Sequence, residues 1–191
     1  VGMRAKRYGT GHNYCTAVGY YALQGTNGYN GSHNNTAVGY EALKVNSDGA
    51  SNTAVGKGAL DANTTASYNT AVGLDALSSN TTGNYGVAIG KDALFANTTT
   101  NANVAVGYKA LEDTTTNIHT AVGFEAAKEL TTGTNTTAMG GYALHDCTTG
   151  GSNTAIGYLA AGVLTTGGHN TVVGMQAMGN GAVTASYNVA M

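Results

Sequence analysis

The 191-residue chain contains no proline and no tryptophan, and only 9% of its residues are charged. Eight basic residues against ten acidic ones give a formal net charge of −2. The chain therefore has no basic surface for a phosphate backbone, and nucleic acid is not an expected partner. No apolar run approaches the roughly 20 residues that span a bilayer, since the longest, from Leu159 to Leu164, is interrupted by Gly162. We expect no membrane insertion within this segment.

What the chain does have is glycine, 29 residues of it, and a short unit that repeats. The unit is clearest at residues 35–43, Asn-Thr-Ala-Val-Gly-Tyr-Glu-Ala-Leu. Its glycine recurs every 17 residues, apart from one step of 20 and one of 16. Self-similarity at such a short period indicates a repeat architecture. The repeat glycines are Gly2, Gly19, Gly39, Gly56, Gly73, Gly90, Gly107, Gly123, Gly140, Gly157 and Gly174.

Each unit reads as a short strand followed by a turn. A β-branched residue, alanine and a second apolar residue precede the glycine, which favours an extended segment that ends where the chain turns. Four residues before the glycine there is usually asparagine, as at Asn52 and Asn69. Asparagine tolerates left-handed backbone and bonds its own chain, so we expect it to form a tight corner.

The second half of each unit contains an alanine three residues after the glycine, as at Ala42, Ala59 and Ala76, usually followed by leucine. A position held to a methyl group predicts close packing, against either the opposite strand or another chain. The segment fits a second short strand or one helical turn, and the sequence leaves both open. Valine and leucine are expected to supply the bulk of the core.

Seventeen residues are enough for two short strands and two turns, which is one coil of a parallel β-solenoid, or β-roll. We therefore predict an all-β fold in which residues 1–191 form a single array of about eleven coils. Equivalent residues of successive coils would lie about 4.8 Å apart. On that spacing Cys15 and Cys147, seven coils apart, are separated by about 34 Å and cannot form a disulfide. A core built from alanine with one valine and one leucine per coil is thin, so neighbouring coils and neighbouring chains are expected to stabilise it.

The Asn-Thr-Ala-Val-Gly units, with residues 103–107 and 85–90 as variants, resemble the head repeat of trimeric autotransporter adhesins. They are still more similar to the longer-period repeat of phage tail fibres and related surface fibres. The resemblance implies a left-handed β-roll in a homotrimer, intertwined or side by side, at a cell surface or on a virion. It also implies a surface that contacts a receptor or glycan. Since the chain starts and stops inside a unit, we expect it to be a slice of a longer fibre protein.

Tyrosines that follow the glycine are the first candidates for receptor contact, because each offers an apolar ring and a polar tip to a sugar. The alternative is that they cover the seam between chains. The three extra residues before Gly39 form a second candidate, since insertions in solenoids emerge as loops, often on the binding face. The alternative is an insertion that is merely tolerated at the surface. The candidates are Tyr20, Tyr40, Tyr108, Tyr158, Tyr29 and His33.

Threonine pairs such as Thr81-Thr82 recur in the second turn and support a different hypothesis, an ice-binding solenoid with regular threonine ladders. Several also complete Asn-x-Thr glycosylation sequons, at Asn63, Asn80 and Asn97. A third possibility is a purely structural filament. The basic residues Arg4, Lys6 and Arg7 near the start favour a junction with a preceding domain over a glycan contact.

Catalytic and metal-binding patterns are not found. Residues 90–92, Gly-Lys-Asp, lack the Ser or Thr and the earlier glycine of a phosphate-binding loop. Residues 145–147, His-Asp-Cys, bring an imidazole near a thiol without a supporting group. The five histidines do not form a His-x-His pair or a Cys/His metal spacing. We therefore expect neither an enzyme nor a bound cofactor or metal.

Overall fold

The computed structural model describes residues 2, 5, 14–25, 32–179 and 184–191. Within those ranges the chain forms eleven short strands and no helix, as predicted for an all-β fold. The strands are β1 (Thr16–Val18), β2 (Thr36–Val38), β3 (Thr53–Val55), β4 (Thr70–Val72), β5 (Val87–Ile89), β6 (Val104–Val106), β7 (Thr120–Val122), β8 (Thr137–Met139), β9 (Thr154–Ile156), β10 (Thr171–Val173) and β11 (Val189–Ala190).

All eleven strands belong to one parallel sheet in which sequence neighbours are also spatial neighbours. Equivalent residues pair, for example Ala37 with Ala54, so each coil stacks on the next in register. Even across the long step Thr16 pairs with Thr36, so the three extra residues do not disturb the sheet. The predicted parallel β-solenoid of about 17 residues per coil is confirmed.

The direction of the strand side chains differs from expectation in one respect. Alanine at the strand centre is fully buried, as at Ala54, but the valine that follows it points outward. Alternation along a strand forces this, because residues two apart share a face and the central alanine takes the inner one. Our expectation of a buried valine was therefore wrong. The interior contains alanine, leucine and asparagine instead.

The second half of each coil is neither a strand nor a helical turn. Left-handed residues alternate with ordinary ones there: in one coil Gly39, Glu41 and Leu43 have φ of 137°, 59° and 49°. The N–H groups of successive left-handed residues then point to opposite neighbouring coils. Glu41 donates to Tyr20 of the preceding coil at 2.9 Å, and Leu43 donates to Ala59 of the following coil at 3.0 Å. Hydrogen bonding between coils therefore continues through the turn.

The core is a column of small side chains along the solenoid. Ala42, Ala59 and Ala76 are fully buried by the single chain itself. Of the two alternatives for this position, close packing therefore occurs inside the coil. Cys147 also lies in the core, whereas Cys15 is half-buried, and neither forms a disulfide within the described residues.

Candidate functional site

The outer side of the sheet forms a continuous surface, which we call the Thr/Val face. Its side chains stand three and one residues before each repeat glycine. Five of the large apolar side chains on this face are 38–43% exposed. They belong to the one sheet of the described chain. The face comprises Thr16, Val18, Thr36, Val38, Thr53, Val55, Thr70, Val72, Val87, Ile89, Val104, Val106, Thr120, Val122, Thr137, Met139, Thr154, Ile156, Thr171 and Val173.

Aromatic side chains line one border of the Thr/Val face, directly after the glycines. Tyr20 and Tyr40 stack with ring centroids 5.6 Å apart, and they are 37% and 47% exposed. Tyr108 stacks on Phe124 at 5.0 Å. Its ring also lies beneath the ammonium groups of Lys91 and Lys109, at 5.5 and 5.7 Å. Most of the predicted tyrosines therefore belong to stacks between coils.

The other candidates of the prediction are Tyr158, His33 and Tyr29. Tyr158 is 50% exposed and meets Tyr142 edge-on, with centroids 6.1 Å apart. His33 is half-buried, and its backbone carbonyl accepts a hydrogen bond from Ser51. Tyr29 lies outside the described residues, as do Arg4, Lys6 and Arg7.

A second aromatic series, on the other border of the sheet, was missed by the sequence reasoning. It lies five residues before the repeat glycine, where the backbone is left-handed. Tyr68 and Tyr85 stack almost parallel at 5.3 Å, with 57% and 61% of their surfaces exposed. His169 and Tyr187 stack likewise at 4.8 Å. The recurrence of aromatic residues at this repeat position is the signal that would have identified them.

The repeat glycines are required by close approach between coils. Gly56 has φ of 141°, and a Cβ atom there would overlap the carbonyl oxygen of Gly73. Gly39 and Gly73 have the same conformation and the same obstruction from the next coil. An L-residue would be strained by the dihedral angle and by the contact together. The dihedral angle and the close contact together account for the predicted structural role of these glycines.

The asparagines before the strands do not have the predicted conformation. Asn52 and Asn69 are not left-handed; the left-handed residue is the one before each, Ser51 or Tyr68. The asparagine side chains are instead buried and bonded between coils. Nδ2 of Asn52 donates to the carbonyl of Ala66, and its Oδ1 accepts from the N–H of Asn69. The expected bonding to its own chain is present, but the expected corner conformation was wrong.

A second buried asparagine column runs through the turn and bears on glycosylation. Asn63, Asn80 and Asn97 are at most 1% exposed. Nδ2 of Asn63 donates to Oδ1 of Asn46, and Nδ2 of Asn80 donates to Oδ1 of Asn63. A glycan on Nδ2 would replace these bonds and needs space that the coil lacks. The three sequons are therefore incompatible with glycosylation of the folded chain.

The threonine pairs form a ladder, but only half of its hydroxyls face solvent unbonded. Oγ1 of Thr81 donates to the carbonyl of Thr98 at 3.0 Å. Thr131 and Thr148 donate to the next coil in the same way. The second residue of each pair, such as Thr82, is exposed. The first row of hydroxyls thus stabilises the stack instead of forming a free surface array.

Two titratable side chains of the described chain are buried in the interior of the solenoid. His119 replaces the repeat asparagine; burial lowers its pKa to about 4, and Nε2 lies 2.8 Å from Oγ1 of Thr116. Burial raises the pKa of the Cys147 thiol to about 11. That thiol donates to the carbonyl of Gly150, whereas the neighbouring His145 bonds to carboxylates on the surface. Residues 145–147 therefore do not form a thiol–imidazole pair.

No family model, curated protein or solved structure matches the chain. The likeness to fibre repeats therefore depends on the repeat residues themselves. In the described part of the chain, no helix has the length and hydrophobicity needed to cross a bilayer.

Proposed function

We propose that this chain is a segment of an extracellular fibre, homotrimeric, that holds receptor-contacting side chains on a rigid shaft at a cell surface or on a virion. The observation that carries the proposal is the Thr/Val face. It extends without interruption through ten coils, about 50 Å at 4.8 Å per coil. Threonine, valine, isoleucine and methionine side chains on one continuous surface are typical of an interface between chains.

The thin interior supports the same conclusion. With valine outside, the largest buried side chain in most coils is a single leucine, for example Leu60 or Leu77. Burial of apolar surface is the main favourable term in folding. Three chains that pack their Thr/Val faces together would bury the valines that one chain leaves at the surface. Association is therefore expected to add a large part of the stability.

Receptor contact is assigned to the aromatic stacks on both borders of the Thr/Val face. The rings of Tyr68 and Tyr85 present their free edges and outer faces to solvent, and each hydroxyl can donate or accept a hydrogen bond. Such a surface suits the alternating apolar and hydroxyl faces of a sugar. Glycan is accordingly the proposed receptor chemistry, with Tyr20, Tyr40 and Tyr158 as further contacts where the trimer leaves them exposed.

The proposed homotrimer is tested by measuring the molar mass of the protein and by a substitution on the Thr/Val face. Light scattering on the purified chain should give three times the 19.1 kDa chain mass. Val72→Glu, on the Thr/Val face, should shift the protein to monomer, whereas Thr82→Glu, an exposed turn position, should not. A monomeric parent chain, or equal behaviour of the two variants, would contradict an interface at this face.

The binding half needs a separate assay, with labelled protein on an immobilised glycan panel. Replacing Tyr68 and Tyr85 by alanine should remove most of the binding. Tyr14→Ala is the matched control, since Tyr14 occupies the same repeat position and is 88% exposed. A trimer that binds no glycan would favour the purely structural filament. Thermal hysteresis lost on replacing Thr81 and Thr82 with bulky residues would favour ice binding.

A further inference from the structure

One group of side chains outside the Thr/Val face and the aromatic stacks combines an imidazole with several carboxylates. It lies on the turn side of two adjacent coils, those that follow β7 and β8. Glu125 and Glu129 belong to the first coil, and His145 and Asp146 to the second. Glu129 N–H donates to the carbonyl of His145 at 3.3 Å, so the backbone itself holds the two turns side by side.

The imidazole is the centre of the group. Nδ1 of His145 lies 2.6 Å from Oδ1 of Asp146, and Nε2 lies 3.1 Å from Oε2 of Glu125. One ligand atom each from Glu129, His145 and Asp146 lie within 4.8 Å of one another. Ligands of one tetrahedral Zn²⁺ are about 3–4 Å apart, because Zn–N and Zn–O distances are about 2.0–2.2 Å. Binding of the ion would draw these ligand atoms together by rotation of their side chains.

In the described chain no lysine forms an ion pair with the group, although Lys128 precedes Glu129 and occupies the repeat position of Lys44 in the first coil. Elsewhere on this side of the solenoid a lysine pairs with a nearby carboxylate: Lys44 with Glu41 at 2.9 Å, and Lys109 with Glu112 at 2.8 Å. His145 occupies the repeat position of Lys44, five residues after the glycine. Among the described residues, no lysine or arginine lies within 4.0 Å of the three carboxylates around it. A cation is therefore favoured here electrostatically.

The repeat pattern adds a further observation about Glu129. It stands six residues after its glycine, between Asp113 of one neighbouring coil and Asp146 of the other. Like charges on neighbouring strands repel, and the earlier coils place neutral residues such as Ala62 and Ala96 at this position. Glu129 is nevertheless half-buried. A positive ion shared between coils removes this repulsion.

We propose that Nδ1 of His145 and one carboxylate oxygen each from Glu129 and Asp146 bind a divalent transition-metal ion, with Zn²⁺ the best fit. Imidazole with carboxylates suits Zn²⁺, whereas Mg²⁺ and Ca²⁺ prefer oxygen ligands alone. Nε2–H of His145 then donates to Glu125, the carboxylate–histidine arrangement that orients metal-bound imidazoles. Because the ligands come from two coils, the ion links one rung of the solenoid to the next.

The experiment is calorimetric titration of the intact chain with ZnCl₂, with MgCl₂ and CaCl₂ as comparisons, and thermal unfolding with and without each ion. One Zn²⁺ should bind per chain and raise Tm, since a ligand that binds only the folded state stabilises it. His145→Gln and Glu129→Gln should each weaken Zn²⁺ binding by at least about 100-fold, because they remove ligands and even the loss of a partner outside the ligand set costs about 10–100-fold. His169→Gln is the control, because that imidazole stacks on Tyr187.

The proposal is overturned if the chain shows no saturable Zn²⁺ binding, or if His145→Gln binds Zn²⁺ as the parent does. Equal affinity for Mg²⁺, Ca²⁺ and Zn²⁺ would overturn it too, because it would indicate general attraction to acidic side chains. Each variant is first compared with the parent by circular dichroism. The visible absorption of bound Co²⁺, present in the parent and lost in Glu129→Gln, is an independent readout of the ligand set.

Discussion

Oδ1 of Asn35 accepts a hydrogen bond from the backbone N–H of Asn52, seventeen residues later, at 2.8 Å. The bond recurs from Asn52 to Asn69 and from Asn153 to Asn170. Each asparagine thus bonds the backbone of the next one, inside the solenoid and out of reach of water. The side chain satisfies backbone groups that the three-residue strands leave unpaired.

Asn52→Ala is expected to lower the free energy of unfolding by about 1–3 kcal/mol. It leaves the buried N–H of Asn69 without its partner, whereas the carbonyl of Ala66 keeps the hydrogen bond from Nδ2 of Asn63. Urea unfolding followed by circular dichroism measures the change. Asn84→Ala is the control: its Oδ1 likewise accepts from a backbone N–H of a neighbouring coil, that of Ser67, but at a more exposed site where water can replace it. Equal losses would contradict the assignment to buried bonding.

Gly56→Ala should be among the most harmful single changes in the chain. The added methyl group overlaps the carbonyl oxygen of Gly73, and φ of 141° is a region that L-residues rarely adopt. We expect loss of about 3 kcal/mol or more, or failure to fold. Gly141→Ala is the control, because its new Cβ meets nothing closer than the Tyr158 ring, at an ordinary contact distance of 3.5 Å. Thermal unfolding should show near-parent stability for the control alone.

Ala76→Leu should destabilise the chain far more than Asp75→Leu. Ala76 is fully buried, and extra carbon atoms in a filled core cost about 1–3 kcal/mol or more. The position of Asp75 tolerates leucine, since Leu159 occupies the equivalent place with the same backbone, φ of 54° against 53°. Comparison of the Tm of the two variants tests this. Similar Tm values would indicate that the interior has room at this position.

Stability should fall as the pH decreases from about 6.5 to 4, because of His119. Burial lowers its folded-state pKa to about 4 from 6.5, so in this range the unfolded chain binds a proton that the folded chain does not. The contribution of neutral, buried His119 to the free energy of unfolding is fully present above pH 6.5 and is lost as the pH falls through 4. At about 1.4 kcal/mol for each pKa unit, the shift of His119 amounts to roughly 3–4 kcal/mol.

His119→Asn provides the matched measurement, since asparagine is the usual residue at this repeat position. Denaturant unfolding of both proteins at several pH values gives the difference in their free energies of unfolding. That difference should change across the range from pH 6.5 to 4. If it is constant, His119 titrates alike in the folded and unfolded chains.

The repeat period determined the fold at the level of the coil. A 17-residue unit that places alanine at Ala37, Ala54 and Ala71 requires equivalent residues to stack, because no other arrangement gives every copy the same surroundings. The parallel sheet, its order and its register follow from that alone. The buried methyl positions and the separation of the two cysteines were predictable for the same reason.

Only the tertiary structure decided which way the variable positions face and what they meet. Whether Val55 or Ala54 points inward depends on how the coil closes, since a three-residue strand has apolar residues on both sides. The burial of Asn63 and the left-handed turn at Glu41 and Leu43 depend on hydrogen bonds to neighbouring coils. Contacts between coils, such as His145 with Glu125, join residues twenty apart, beyond the reach of any local pattern.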